Sequence, residues 1–306
     1  MKSQVMLLKT DKLQSNINEC ITKLFDNVFN IGDVQNVAIK PNLCYYWKAS
    51  TGYTTDPRIV SGIIDEIRER FGNDVDIKIV ESDATGMRVK HAFTMLDYAK
   101  LSAEKEVELF NLSKDESEKI EVKVGKTELS FNLSKTLLET DLLINVPKMK
   151  VMRETHITGA LKNLFGCISN ARKIKYHSIL NETIVGVNKV LKPEINIMDG
   201  LCALSKYPVK IDALIGSDSP YSMDYVAATI MGYDPNTIKF MQLAKENGLG
   251  DPKNIEVKGE SINSFKSVFP HVNNFLYKNS FKTLLKFLKL YTYLVGDVVP
   301  PILEGI

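Results

Sequence analysis

The chain has 306 residues, 39 Lys+Arg against 37 Asp+Glu, and 44% apolar side chains. That length accommodates two domains or one large α/β unit, and ordinary apolar content excludes disordered, collagenous and low-complexity classes. A net charge of +2 excludes a globally basic nucleic-acid binder, and the small excess lies at the C-terminus, where residues 264–306 carry five Lys against Asp297 and Glu304.

Strand-like and helix-like segments alternate along most of the chain. Val5-Met6-Leu7-Leu8 reads as a first strand, and residues 11–29 follow with Leu13, Ile17, Ile21, Leu24 and Val28 at helical spacing. Val37-Ala38-Ile39 is the next strand. After a polar loop comes a helix over Pro57–Phe71, with proline at its first position. Ile77–Val80 reads as a strand, and residues 119–132 as a hairpin turning at Gly125-Lys126. Leu142–Val146, Ile195–Met198 and Ala213–Ile215 complete the set. Short apolar strands separated by helices predict an α/β fold, with a mainly parallel or mixed sheet covered on both faces. No repeat or Gly/Ser linker appears. We therefore expect one α/β domain over residues 1–262, with a soft boundary near 140–150, and a C-terminal helical tail over 263–306.

Polar residues follow each strand: Lys40-Pro41-Asn42, Glu81-Ser82-Asp83, Pro147-Lys148-Met149-Lys150, Asp199-Gly200 and Gly216-Ser217-Asp218. In a parallel sheet these ends share the edge where open α/β folds bind ligands. Asp and Ser also cap helices, which explains Ser217 and Asp218 equally well. Capping does not explain Lys40, Lys148 or Lys150, because an ammonium gains nothing at a helix N-terminus.

Residues 147–177 hold seven cations against one acid, Glu154, together with His156 and His177. Thr158 is placed to cap a short helix running through Phe165 and stopped by Gly166. A helix start beside His156, among cations, suits a phosphate or carboxylate. A solvated basic loop is the plainer alternative. Nucleic acid is disfavoured, because Phe165 and Tyr176 are the only aromatics there for stacking. Asp83, Asp199 and Asp224 either bind a divalent metal with histidine help or hold lysines as ion pairs. No H-E-x-x-H run selects between these.

Cys20, Cys44, Cys167 and Cys202 are scattered without a C-x-x-C pair, so the spacing provides no iron–sulfur or zinc ligand run in this chain alone. The opening MKSQVMLL has too short an apolar run for a signal peptide, and no window reaches 18 apolar residues. A reduced, cytoplasmic setting is expected. No Walker A or G-x-G-x-x-G sequence suggests a nucleotide cofactor.

Lys40-Pro41-Asn42-Leu43, Asn145 through Lys150, His156, the run Thr158–Gly166 (TGALKNLFG), His177 and Asp199-Gly200 resemble the domain-of-unknown-function 362 family. Ser217–Pro220, Met223–Ala227, Met231–Pro235 and Gly248–Gly250 extend the resemblance to roughly residues 36–260. It implies that these residues cluster, and it implies no particular chemistry. Some relatives carry a ferredoxin-like iron–sulfur module, whose cysteines this chain lacks. Relatives tend to have a Gly-rich turn after Asp199, where this chain has Ser205-Lys206-Tyr207-Pro208.

In the tail, Lys278, Lys282, Lys286 and Lys289 form one helical stripe opposite Phe281, Leu284, Leu285 and Leu288. Such a helix either lies on an anionic membrane surface or docks on the domain or a second copy.

The expected function is therefore an enzyme acting on a small carboxylate or phosphate at the C-terminal sheet edge. Its candidate catalytic groups are Lys148, His156, Lys162 and His177. Ligand contacts fall to Lys40, Asn42, Lys150, Thr158, Asn163, Ser217 and Asp218, and any divalent metal to Asp83, Asp199 and Asp224. The alternatives are a non-catalytic metal or redox-partner protein and a membrane-surface protein working through the C-terminal helix.

Overall fold

The computed structural model describes residues 2–11 and 13–270. The lysine-striped segment of the tail lies outside the described residues. Twelve strands occur among those described. They are Ser3–Lys9 (β1), Asn36–Pro41 (β2), Asp76–Glu81 (β3), Glu108–Asn111 (β4), Ser117–Val124 (β5), Thr127–Ser134 (β6), Leu142–Val146 (β7), Lys148–Met152 (β8), His156–Thr158 (β9), Ile195–Leu204 (β10), Pro208–Ser217 (β11) and Ile255–Gly259 (β12).

The main sheet has the order β12-β1-β11-β10-β7-β2-β3-β4, with β8 paired to β10 and β9 to β8. Strands β10, β7, β2, β3 and β4 run parallel to one another. Strand β11 is antiparallel to both of its neighbours, β10 and β1. The fold is thus α/β with a mixed, mainly parallel sheet, as the alternation predicts.

Side-chain alternation explains the layering. Val37 and Ile39 of β2 join a core with Ile17, Ile21 and Leu24 of the helix Gln14–Asn27 and with Ile59, Ile63 and Ile67 of the helix Pro57–Phe71. Ala38, between them, faces the opposite core, with Ile184 and Val187 of the helix Leu180–Val190 and Met223 and Ala227 of the helix Pro220–Ile230. Period-2 strands buried on both faces read as continuous apolar runs. Asp56 caps the helix Pro57–Phe71 by accepting from Arg58 N, with Pro57 at the first position as expected. The hairpin β5–β6 also forms, closing at Gly125-Lys126. It packs on Gly186, whose missing Cβ would lie 2.6 Å from Leu129 Cδ1.

One expectation is corrected here. The runs Ile195–Met198 and Ala213–Ile215 do not both end on the ligand edge. They are parts of two ten-residue strands joined through residues 205–207 into a hairpin. Antiparallel strands join through short turns, whereas parallel strands need a crossover of about a dozen residues. Strand β11 therefore runs away from that edge. Ser217 lies three strands from Lys40, with its hydroxyl donating to Gln4 O, and Asp218 accepts from Ser3 Oγ and Gln4 N.

Candidate functional site

A cleft of about 570 Å³ opens where β2 and β3 end, between the loop after Pro41 and the segments around residues 150–154 and 162–177. Lys40, Lys150, Lys162 and Lys173 line it, with Glu81, Glu154 and His177. Lys40 is spent on Glu81, its Nζ lying 2.7 Å from Oε2 with both side chains buried. Gly166 makes room for this pair: a Cβ there would lie 3.2 Å from Lys40 Nζ and 3.4 Å from Glu81 Oε1.

Lys150, Lys162 and Lys173 have no carboxylate within ion-pair distance among the described residues. Lys150 donates to Asn42 Oδ1 at 2.7 Å and Tyr53 O at 2.9 Å. Burial, with Lys162, Lys148 and Lys40 nearby, brings it down to about 8 against a neighbouring Cys44 that pulls the other way. Lys173 donates to the backbone carbonyls of Asp83 and Asn170, and burial brings it to about 8 as well. Lys162 is half-buried, makes no hydrogen bond among the described residues, and is lowered by burial against the pull of Cys44 and Glu154. Three desolvated amines facing one hollow favour an anionic occupant, because a buried charge costs heavily unless paired.

The amide side chains around the cleft form a directed chain. Asn42 Nδ2 donates to Asn163 Oδ1, Asn163 Nδ2 to Asn145 Oδ1, Asn145 Nδ2 to Asn196 Oδ1, and Asn196 Nδ2 to Ser217 O. Every link points away from Lys150, so the bonds polarise one another cooperatively and strengthen Asn42 Oδ1 as the acceptor for that lysine. The register carries it. Asn145 stands opposite Lys40 on one side and Asn196 on the other, and Asn196 stands opposite Ser217. Asn42, Asn163 and Lys150 thus come together as expected.

His177 Nδ1 lies 3.0 Å from Glu154 Oε2, and both line the cleft. A carboxylate on one ring nitrogen orients the ring for proton transfer at the other. Glu81, Glu154 and Lys173 escaped the sequence-based selection of site residues. Glu154 was visible as the lone acid in a basic segment, and Glu81 as the residue at the very end of its strand.

Several predicted site residues lie elsewhere. Lys148 is fully buried and paired at 2.7 Å with Asp199, which also accepts from Asp56 N and Leu201 N. This pair ties the main sheet to the start of the helix Pro57–Phe71 and does not line the cleft. His156, at φ +67°, stacks edge-on to Tyr233 with centroids 5.6 Å apart, outside the cleft lining. Thr158 is buried with no partner for its hydroxyl and caps nothing. The backbone N–H groups of Ala160 and Leu161 are taken by Asp224, so the helix start expected to bind an external anion already holds the protein's own carboxylate.

The three aspartates do not assemble into a metal set. Asp83 accepts from Val89 N and pairs with Arg88, while Asp199 and Asp224 are engaged as above. Among the described residues no three His, Cys, Asp or Glu converge to hold a metal ion. None of the four cysteines forms a disulfide, and only Cys44 lines the cleft.

A second hollow of about 460 Å³ lies over residues 54–58 and 96–104. Its charges are spent on one another, in the pairs Arg58–Asp56, Lys48–Asp97 and Lys100–Glu104. No helix among the described residues is long and apolar enough to cross a membrane.

Comparison with known proteins adds three findings. A thylakoid-associated protein of Synechocystis sp. is 31% identical over 136 residues, an alignment covering 39% of this chain and 42% of that protein. The lactate racemase apoprotein of Thermoanaerobacterium thermosaccharolyticum superposes with a TM-score of 0.39 at 12% identity, over 76% of this chain and 58% of that one. Residues 37–229 match the model of a family described as "domain of unknown function (DUF362)". That match covers more than half of the chain, from the strand β2 to the helix carrying Asp224, and the protein belongs to this family.

Proposed function

We propose that the protein is an enzyme acting on a small carboxylate or phosphate bound where β2 and β3 end. The observation carrying this reading is the set Lys150, Lys162 and Lys173, three lysines of one cleft without carboxylate partners. They bind the anionic group and stabilise negative charge developing on the substrate. His177, oriented by Glu154, transfers the proton. Isothermal titration with inorganic phosphate and a panel of small mono- and dicarboxylates tests it. A charge-assisted hydrogen bond contributes about 1.5–3 kcal/mol, so Lys162→Met should weaken the best ligand about ten- to a hundredfold with the melting temperature unchanged. Equal affinity in wild type and variant contradicts the assignment.

A second reading, contact with an anionic membrane surface, is favoured by two exposed aromatics. Trp47 and Tyr207 are 56% and 57% exposed, each beside a lysine in sequence, Lys48 and Lys206. Aromatics flanked by cations suit the headgroup region, and the Synechocystis relative is named for its thylakoid association. Co-sedimentation with phosphatidylglycerol vesicles, lost in Trp47→Ala/Tyr207→Ser, is the expected result. Sedimentation equal for both proteins contradicts it.

A further inference from the structure

Lys150 is held in a manner that anion binding alone leaves unused. Its Nζ donates to two neutral carbonyl oxygens, Asn42 Oδ1 and Tyr53 O. A neutral amine has two N–H donors and one lone pair. Here both donors have acceptors, and the lone pair is the remaining position on nitrogen. The charges acting on Lys150 are those of Lys40 from β2, itself paired with Glu81, of Lys148 from its own strand, itself paired with Asp199, of Lys162 from the short helix Ala160–Asn163, and the Cys44 thiol. A lysine desolvated beside other cations is the arrangement that turns an ammonium into a nucleophilic amine. Its value of about 8 places an appreciable neutral fraction near physiological pH.

We propose that Lys150 forms a Schiff base with a small carbonyl compound carrying a carboxylate or phosphate, the anionic group being held by Lys162 and Lys173. This rests on the anion-binding reading and narrows its substrate class to 2-oxo acids and anionic aldehydes. The Nζ lone pair attacks the carbonyl carbon, and the C=O π pair moves to oxygen, which takes up a proton to give a carbinolamine. Nitrogen then loses a proton, the hydroxyl is protonated and leaves as water as the C=N bond forms, and the resulting iminium returns a proton to give the imine. One amine and one carbonyl give one imine and one water, without oxidant or reductant. His177, beside Glu154, is placed to relay these protons.

The test is reductive trapping of the full-length protein with glyoxylate and sodium cyanoborohydride, read by intact mass and peptide mapping. One carboxymethyl group on Lys150, suppressed by excess phosphate, is expected. At saturating glyoxylate the trapping rate should rise as pH passes through about 8. Lys150→Arg should abolish this adduct. Asn42→Asp keeps an acceptor on Nζ but sets a carboxylate against it, so it should slow trapping at neutral pH about tenfold for each unit by which it raises the lysine. It also removes the donor to Asn163 Oδ1, so the melting temperature of each variant is measured alongside to separate chemistry from misfolding. Phosphate binding with label spread over surface lysines and none on Lys150 overturns the Schiff base while the anion site stands. Absence of phosphate and carboxylate binding in the same preparation overturns both.

Discussion

The carboxylate of Asp224 lies 2.5 Å from the backbone nitrogen of Ala160 and 3.0 Å from that of Leu161, at a helix start whose sequence suggests an external anion. Gly159 permits the approach, since a Cβ there would fall 2.0 Å from Asp224 Oδ1. The start of the TGALKNLFG run therefore serves packing, anchoring the helix Pro220–Ile230, while Lys162 and Asn163 of the same run line the cleft. Gly159→Ala should destabilise the protein by about 1–3 kcal/mol, as overpacking does. Urea denaturation checks it.

Asp224 also gives the fold a pH dependence of definite sign. Burial pushes its carboxyl up to about 7 despite the two N–H donors. The folded state then binds more protons than the unfolded chain between about pH 4 and 7, so this group's contribution falls as pH rises through that window. Three units correspond to ~4 kcal/mol at most. Asp224→Asn should gain on wild type by up to about two-thirds of that amount between pH 5 and pH 8 in paired denaturation curves. A constant difference between the two proteins contradicts the account.

The Lys148–Asp199 pair, buried at 2.7 Å, is assigned to structure. Removing one member of a buried pair strands the other and costs about 3–5 kcal/mol, whereas replacing both with apolar residues often restores stability. Lys148→Met should therefore unfold at lower urea than Lys148→Met/Asp199→Asn, whose neutral amide keeps an acceptor for the backbone donors of Asp56 and Leu201. Phosphate affinity of the folded double variant should stay within about twofold of wild type, and a loss above tenfold would place Lys148 in the binding machinery.

Anion affinity should decline as pH rises through about 8, where Lys150 and Lys173 lose their protons. Stability moves the opposite way. Both lysines are lowered on folding, so the unfolded chain binds more protons between about pH 8 and 10 and the fold gains there as pH rises. Phosphate titrations and melting curves at pH 7 and pH 9 should separate the two effects.

The fold was largely legible in the sequence because apolar strand runs and a helix opening on proline are local signals. Strand direction was not. The turn at Ser205–Tyr207 lies between two runs that look like separate parallel strands, and only its shortness betrays the hairpin that carries Ser217 away from the cleft. In the site, Lys40, Asn42, Lys150, Lys162, Asn163 and His177 were legible as polar residues ending strands or crowding one basic segment. Partnership was hidden. Nothing local distinguishes Lys148, neutralised by a strand 51 residues away, from Lys150, which meets only amide and carbonyl oxygens. His156 shares that segment, yet its strand turns it onto Tyr233.

The most direct test of the anion site is a crystal structure of the protein soaked in selenate, with the ion located by its anomalous scattering. The account predicts selenate in the cleft within hydrogen-bond distance of Lys162 Nζ and of at least one of Lys150 and Lys173. Selenate found only at other positions, with the cleft lysines contacting water alone, would contradict it.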